Sequence, residues 1–348
     1  MKKIIFLIIC TSITLSDINV NGDARLRPRL DLKTNGDNTS TADLYYLYRA
    51  RLNISSNIGG GWFFKSRIGT NDASSQVKMG VDGPFSNSPG LPNASRPALS
   101  FLNLYFGIKG DDCGLWGGAI PLKHNPALDI HFHADKVVDI PWAVFNNSST
   151  TGFAGYIKRV NWFISIDGNN EEIGEGDTET VKRIDPVTLG LDFNFKWNEY
   201  LDMKPRILVT IANQFEPWPM TFGVDMKVKP LFKINSMLSV YTSMQIINED
   251  YKYQISHTRF KFNRELGPGE LNFWFDMASY VDQTDSETDL ESSKFDLMYF
   301  WLDYDYDLFN GDFGSVSLKP TFRYQMGKVG DSDYSRVKLE LTAGIKFE

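Results

Sequence analysis

Hydrophobic and polar residues alternate one by one through the last segment of the chain, RVKLELTAGIKFE. Every odd-numbered position from Val337 to Phe347 is apolar, and the positions between them are charged, polar or glycine. Successive side chains of a β-strand point to opposite faces, so the pattern predicts a strand with one apolar face and one charged face. A soluble β-sandwich and a membrane-spanning β-barrel both contain such strands, and they differ in which face meets water.

The same alternation recurs along nearly the whole chain. We count about sixteen such segments, which begin near residues 24, 43, 61, 98, 114, 151, 160, 187, 201, 220, 231, 252, 271, 295, 315 and 334. Each runs for about ten residues, the length of a tilted membrane-spanning strand, whereas soluble strands more often have about five or six. No segment has a helical period, and no apolar run reaches the roughly 18 residues of a spanning helix.

The connections between these segments are sorted by length. Connections after odd-numbered segments are often long, and connections after even-numbered segments are short, as from Gly110 to Asp112. The long ones are 71–97, 123–150, 168–186 and 282–294. Outer-membrane barrels have short periplasmic turns and longer extracellular loops, whereas a soluble sandwich gives no reason for this sorting. Closure of a barrel also satisfies the hydrogen bonds of every strand edge. We therefore predict an all-β fold, a transmembrane antiparallel β-barrel of about sixteen strands.

The N-terminal segment has the features of a secretory signal peptide. Lys2 and Lys3 precede an apolar stretch that extends from Ile4 to about residue 15. Small residues suit cleavage after Gly22, which we prefer, or after Ser16. The predicted division is a signal peptide at 1–22 and a barrel at 23–348. Cys113 is then the only cysteine left, so an intrachain disulfide is impossible.

Several motifs resemble those of the bacterial outer-membrane porins. They are GDARLRPRL after the signal, YRARLNI and FKSRIGTN on the next hairpin, and LNLYFGIKG followed by LWGGAIPL. The resemblance covers residues 22–158 by motif and the remainder by strand pattern. It implies a 16-stranded barrel in the bacterial outer membrane, often a homotrimer, that passes small hydrophilic solutes. It also implies that the third extracellular loop folds inward as a constriction loop, a position that 123–150 occupies here.

The polar faces of the strands are rich in basic residues. Taken as inward, they carry about twenty Lys and Arg against about eleven acids. The predicted pore-lining residues are Arg25, Arg27, Arg29, Arg49, Arg51, Lys65, Arg67, Lys204, Arg206, Lys227, Arg259 and Lys261. Their spacing at every second residue stacks cations along one wall, and low-dielectric walls focus the field of such charges. A mild preference for anions follows, opposed by the acidic stripe Asp303, Asp305 and Asp307.

The predicted constriction loop carries acids and imidazoles. Its candidate residues are Asp129, His131, His133, Asp135 and Asp139. Acids that face a basic wall orient water and dipolar solutes without strong choice of ion. A His-x-His pair can bind a transition metal, but no fourth ligand is evident, so we expect polar lining of the pore and no metal or other cofactor.

These features predict a passive porin for small hydrophilic solutes and ions. The alternatives are a channel selective for phosphate, organic anions or sugar, and a plugged barrel that serves as a receptor or adhesin. A sugar channel needs inward rings, for which Tyr45, Phe63, Tyr105, Tyr299 and Trp301 are candidates. No G-x-S-x-G element is present, and four histidines offer little for catalysis, so we do not expect an enzyme. A net charge of −7 argues against nucleic acid. The acid-rich external loops are either solvated surface or contacts, through divalent cations, to lipopolysaccharide among the outer-membrane lipids.

Overall fold

A computed structural model describes residues 17–36, 39–70, 77–79, 99–121, 149–166, 187–211, 220–231, 234–246, 252–282, 294–329 and 332–348. All regular elements in these ranges are β-strands. Within the same ranges, no helix has the length and apolar character needed to cross a membrane.

Eighteen strands follow one another along the chain. They are β1 (Asp17–Thr34), β2 (Ser40–Gly59), β3 (Trp62–Thr70), β4 (Val77–Met79), β5 (Leu99–Lys109), β6 (Cys113–Pro121), β7 (Ser149–Ile157), β8 (Val160–Ile166), β9 (Val187–Phe193), β10 (Phe195–Lys196), β11 (Leu201–Ile211), β12 (Met220–Leu231), β13 (Ile234–Ile246), β14 (Lys252–Leu266), β15 (Gly269–Asp282), β16 (Lys294–Gly311), β17 (Gly314–Val329) and β18 (Ser332–Phe347).

The strands form one sheet in which each strand pairs antiparallel with its neighbours. Two short strands extend longer ones: β4 continues β3 along β2, and β10 continues β9 along β11. The sheet therefore has sixteen staves, and β1 pairs with β18 to close it. The predicted all-β antiparallel barrel of about sixteen strands is confirmed.

The exposure of β18 shows which face of the alternating pattern points inward. Leu339 is 46% exposed, whereas its neighbours Lys338 and Glu340 are 2% and 6% exposed. Leu26 on β1 and Phe153 on β7 are likewise exposed, at 45% and 54%. In a closed barrel the covered face is the inner one, so the charged faces line the interior and the apolar faces form the outer surface. A soluble sandwich would have the opposite arrangement.

Four two-residue turns lie at one end of the barrel, which we call the short-turn end. Two-residue turns join β2 to β3, β7 to β8, β14 to β15 and β16 to β17. At the first of them Gly61 has a φ of 84°, a left-handed conformation that glycine adopts without strain. Because the strands are antiparallel, β1 begins and β18 ends at this same end.

Strand β1 begins within the segment that the preferred signal boundary would remove. Asp17 to Gly22 pair with Asn57 to Leu52 of β2. The outward side chains Ile18 and Val20 are 55% and 46% exposed and extend the apolar outer surface. Cleavage after Gly22 would leave this part of β2 without its β1 partner, and cleavage after Ser16 would keep the pairing.

We therefore expect the mature protein to begin at Asp17. N-terminal sequencing and the intact mass of protein isolated from membranes check this expectation. A mature chain that begins at Asp23 would contradict it, and would mean that the barrel closes without these six residues.

Candidate functional site

The inner wall of the barrel divides into two parts with different chemistry. Strands β6, β7 and β8 contain no charged residue. We call their inward surface the neutral wall; it includes Ile120, Ala154 and Phe163, which pack together in a buried cluster with Trp116 at its edge. Strand β13 also contains no charged residue. The inward ion pairs lie on β1, β2, β9, β11, β12 and β14 to β18, so the neutral wall interrupts a charged inner surface.

Asp23 on β1 holds three arginines. Arg49 donates from Nε and Nη2 to Asp23 Oδ2, at 3.1 and 2.8 Å. The Nε and Nη2 atoms of Arg51 lie 2.8 and 2.7 Å from Oδ1. Arg25 approaches the same carboxylate at 3.7 Å. One negative charge thus organises three positive charges on two adjacent strands.

Glu340 on β18 is the centre of a second group. Its side chain is 0% exposed. Arg29 Nε lies 2.7 Å from Oε1, and Arg27 Nη1 and Arg323 Nη2 lie 3.4 and 3.0 Å from Oε2. Arg27 also donates from Nε to Thr342 Oγ1 at 2.7 Å. These arginines come from β1 and β17, on the two sides of β18.

Asp31 on β1 forms a third group across the closing seam. Arg336 donates from Nε and Nη2 to its two carboxylate oxygens, at 2.8 and 2.7 Å. Lys338 Nζ lies 3.6 Å away. Tyr45 OH donates to Asp31 at 3.1 Å and accepts from Arg29 Nη1 at 3.1 Å, which links this group to that of Glu340.

Three of the other predicted pore-lining cations contact inward acids, and a fourth lies over an aromatic ring. Lys204 Nζ lies 3.0 Å from Asp192, and Arg206 Nη2 lies 2.8 Å from Asp225. Arg259 holds Asp276 through Nε and Nη2, at 2.6 and 2.8 Å. Lys261 Nζ lies over the Trp274 ring, 5.2 Å from its centroid. No ion pair of Lys227 is seen in the described ranges. Lys65 and Arg67 on β3 make no ion pair with a described carboxylate.

The acidic stripe on β16 is itself partly neutralised. Asp303 is 4% exposed and accepts hydrogen bonds from Asn272 at 3.1 Å and from Trp301 Nε1 at 2.6 Å. Lys319 Nζ lies 3.4 Å from Asp303 and 2.8 Å from Asp305. Of the three acids, Asp307 is exposed and forms no described ion pair.

The candidate rings for a sugar track do not form an open aromatic surface. Arg323 lies 3.5 Å from the centroid of Trp301, and Trp274 stacks on that ring at 4.2 Å. Phe63 and Tyr299 are only 4% and 2% exposed. Among the described residues, therefore, the rings are used in packing and in holding cations rather than in a continuous exposed surface.

Several predicted residues fall outside the described ranges. Asp129, His131, His133, Asp135 and Asp139 of the predicted constriction loop all lie there, as does most of 123–150. Within the described part of the chain, no group of three or more His, Cys, Asp and Glu side chains is placed to hold a metal ion.

The acids and three of the eight cations that build these groups were not among the residues predicted from the sequence. Asp23, Asp31 and Glu340 were not selected, nor were Arg323, Arg336 and Lys338. Their positions on charged strand faces were visible in the alternation of β1, β17 and β18. The contacts themselves depend on the register of the closing strands, which brings Asp31 beside Arg336 although 305 positions separate them.

Comparison with solved structures identifies the architecture. An anion-selective porin from Comamonas acidovorans matches with a TM-score of 0.58 at 10% identity, over 95% of this chain and 100% of the other. The outer-membrane channel DcaP of Acinetobacter baumannii matches with a TM-score of 0.55 at 12% identity, over 95% and 97% of the two chains. The fold is a porin fold. OprB of Pseudomonas putida shares it, with a TM-score of 0.55 at 9% identity over 95% and 94%. No family model and no curated protein matches the sequence.

Proposed function

We propose that this porin-type barrel is a passive channel in the outer membrane of a Gram-negative bacterium. Small hydrophilic solutes and ions would cross it down their gradients, without a cofactor and without chemistry at the wall. The observation that carries the proposal is the inward placement of an extended ionic surface in a closed barrel whose outer surface is apolar. A packed core would not contain such a surface, because burial of each charge in a core costs several kcal/mol.

A mild preference for anions follows from the charge balance of the wall. Around Asp23, Glu340 and Asp31, eight cationic side chains lie within 4 Å of three carboxylates. The excess of five positive charges is concentrated on β17, β18, β1 and β2. Low-dielectric walls focus the field of such charges into the channel. Asp305 and Asp307 oppose it locally, which supports a mild preference rather than a strict one.

The pore size and the assembly are further parts of this proposal. Segment 123–150 would narrow the channel as the constriction loop, and the outer surface would contact outer-membrane lipids and lipopolysaccharide. A homotrimer, as the resemblance to porins implies, would be measured as the mass of the detergent-solubilised particle. A channel selective for phosphate or organic anions is the second candidate, favoured by the arginine forks on the wall, which suit both groups.

Reversal potential under a KCl gradient tests the proposed function. We expect the purified protein in a planar bilayer to conduct and to give a potential that favours chloride. A potential that favours potassium would mean that acids control permeation and would overturn the anion preference. If no conductance were observed, the channel function would be wrong, and a plugged barrel acting as a receptor or adhesin would take its place.

A further inference from the structure

Three inward cations at one corner of the barrel lack acidic partners in the described structure. They are Lys65 and Arg67 on β3 and Lys109 on β5, and we call them the corner group. None of them lies within ion-pair distance of a described carboxylate. Arg67 donates from Nε to the amide oxygen of Asn53 at 2.6 Å. This sets the corner group apart from the eight cations whose charge is partly compensated by Asp23, Asp31 and Glu340.

Aromatic rings, rather than a carboxylate, hold Lys109 in place. Its Nζ atom lies 4.8 Å from the centroid of Phe63 and 5.3 Å from that of Trp116. Both distances are within the range of a cation–π interaction. Phe63 also makes edge contacts with Tyr105 and Trp116. The rings orient the ammonium group without neutralising it, so its full positive charge remains available to a ligand.

On the side of β6, no charged residue of that strand opposes the positive charge of the corner group. Lys109 ends β5 and its neighbour β6 belongs to the neutral wall, which carries no charged residue. On the other side the corner group adjoins the accessible end of the Asp23 group, where the side chains of Arg25 and Arg51 are 35% and 21% exposed. By contrast, the side chains of Arg27, Arg29 and Arg49 are at most 10% exposed. The accessible cations of this wall therefore continue from Arg25 to Lys109.

We propose that the corner group is an oxyanion-binding subsite near the short-turn end, which is the periplasmic end in the proposed topology. Arg67 Nε is bonded to Asn53, and no bond of its two terminal amino groups is seen among the described residues, so they are placed to bind a ligand. Two parallel N–H donors match two oxygens of a carboxylate or a phosphate, and the two ammonium groups add attraction without fixed geometry. The subsite deepens the proposed function, because it gives permeating anions a resting place before release. Binding there must be weak enough for the anion to leave.

The test is block of the chloride current by added oxyanions. Inorganic phosphate and acetate are titrated separately from the short-turn side against wild type and against the double variant Lys65→Gln/Lys109→Gln. We expect wild type to be blocked in a saturable manner and the double variant to need about tenfold more anion for the same block. Block by phosphate alone, or by acetate alone, would assign the subsite to that one of the two oxyanions. Lys158→Gln, which removes a positive charge from the exposed turn between β7 and β8, is the matched control and should behave as wild type.

The outcomes separate this inference from the proposed function. Equal block in wild type and in the double variant, with chloride preference intact in both, would overturn the subsite and leave the channel proposal standing. Absence of conductance in wild type would overturn the proposed channel function itself, and conductance without chloride preference would overturn its anion preference. Since Lys65 and Lys109 are outside the three carboxylate groups, the double variant is expected to fold, and urea unfolding in lipid vesicles at the same concentration as wild type would confirm that the barrel is intact.

Discussion

Glu340→Gln is expected to destabilise the folded barrel by about 3–5 kcal/mol, the range found when one partner of a buried ion pair is removed. The Glu340 side chain is 0% exposed, and Arg27, Arg29 and Arg323 all lie within 3.4 Å of its oxygens. Glutamine keeps the shape but loses the charge, so three guanidinium groups are left beside one another without compensation. Urea unfolding of the barrel in lipid vesicles, followed by tryptophan fluorescence, measures the difference in free energy of unfolding.

Glu265→Gln is the matched control for this change. Glu265 lies near the end of β14, is exposed and forms no described ion pair. Exposed charges of this kind contribute about 0–1 kcal/mol to stability. If the two variants unfolded at the same urea concentration, Glu340 would not be the electrostatic centre of its group.

Arg49→Ala combined with Arg51→Ala is expected to lower the preference for chloride while the barrel still folds. The two substitutions reduce the cations around Asp23 from three to one, which removes the local positive excess. A unit charge about 10 Å from an ion in water contributes about 0.4 kcal/mol. Loss of two such charges lowers the occupancy of chloride about fourfold at low ionic strength. The shift in reversal potential under a KCl gradient measures this effect.

The control also removes two positive charges, from the turn between β7 and β8. Lys158→Ala with Arg159→Ala removes two exposed cations that are outside the inner wall. Its reversal potential should match that of wild type. An unchanged potential in the Arg49 and Arg51 variant would mean that the Asp23 group does not face the path of the ions. Because salt screens exposed charges over about 10 Å at 0.1 M, the measurement should be repeated at low and high salt.

Much of the fold could be predicted from local pattern alone. The alternation through RVKLELTAGIKFE depends only on the two-residue period of a strand, and it correctly separates Leu339 from Lys338 and Glu340. The positions of the short connections could be predicted as well, because they are the gaps between the same alternating segments. The alternation through LNLYFGIKG could also have found Lys109, which shares a face with Tyr105, but its position beside a turn obscured its place on the inner wall.

The composition of the candidate site depends on contacts between distant segments. Every second residue of β1 from Arg25 to Arg29 is visibly basic. Nothing in β1 indicates, however, that Arg29 lies beside Glu340 and Asp31 beside Arg336. Those contacts come from the register in which β18 meets β1, and a shift of one residue would turn each side chain to the other face. The pairing of Arg259 with Asp276 likewise depends on the register of β14 and β15.

The long amphipathic strands follow from local sequence, because side-chain alternation is a property of each segment alone. The abundance of Lys and Arg on the charged faces follows from the same pattern. Which of those cations are compensated depends on the folded barrel, because ion pairing requires atoms from different strands to come within about 4 Å. Closure of the barrel brings Glu340 to Arg27 and Arg29, and the pairing of β1 with β2 brings Asp23 to Arg49. Lys65 and Lys109 are left without acidic partners among the described residues.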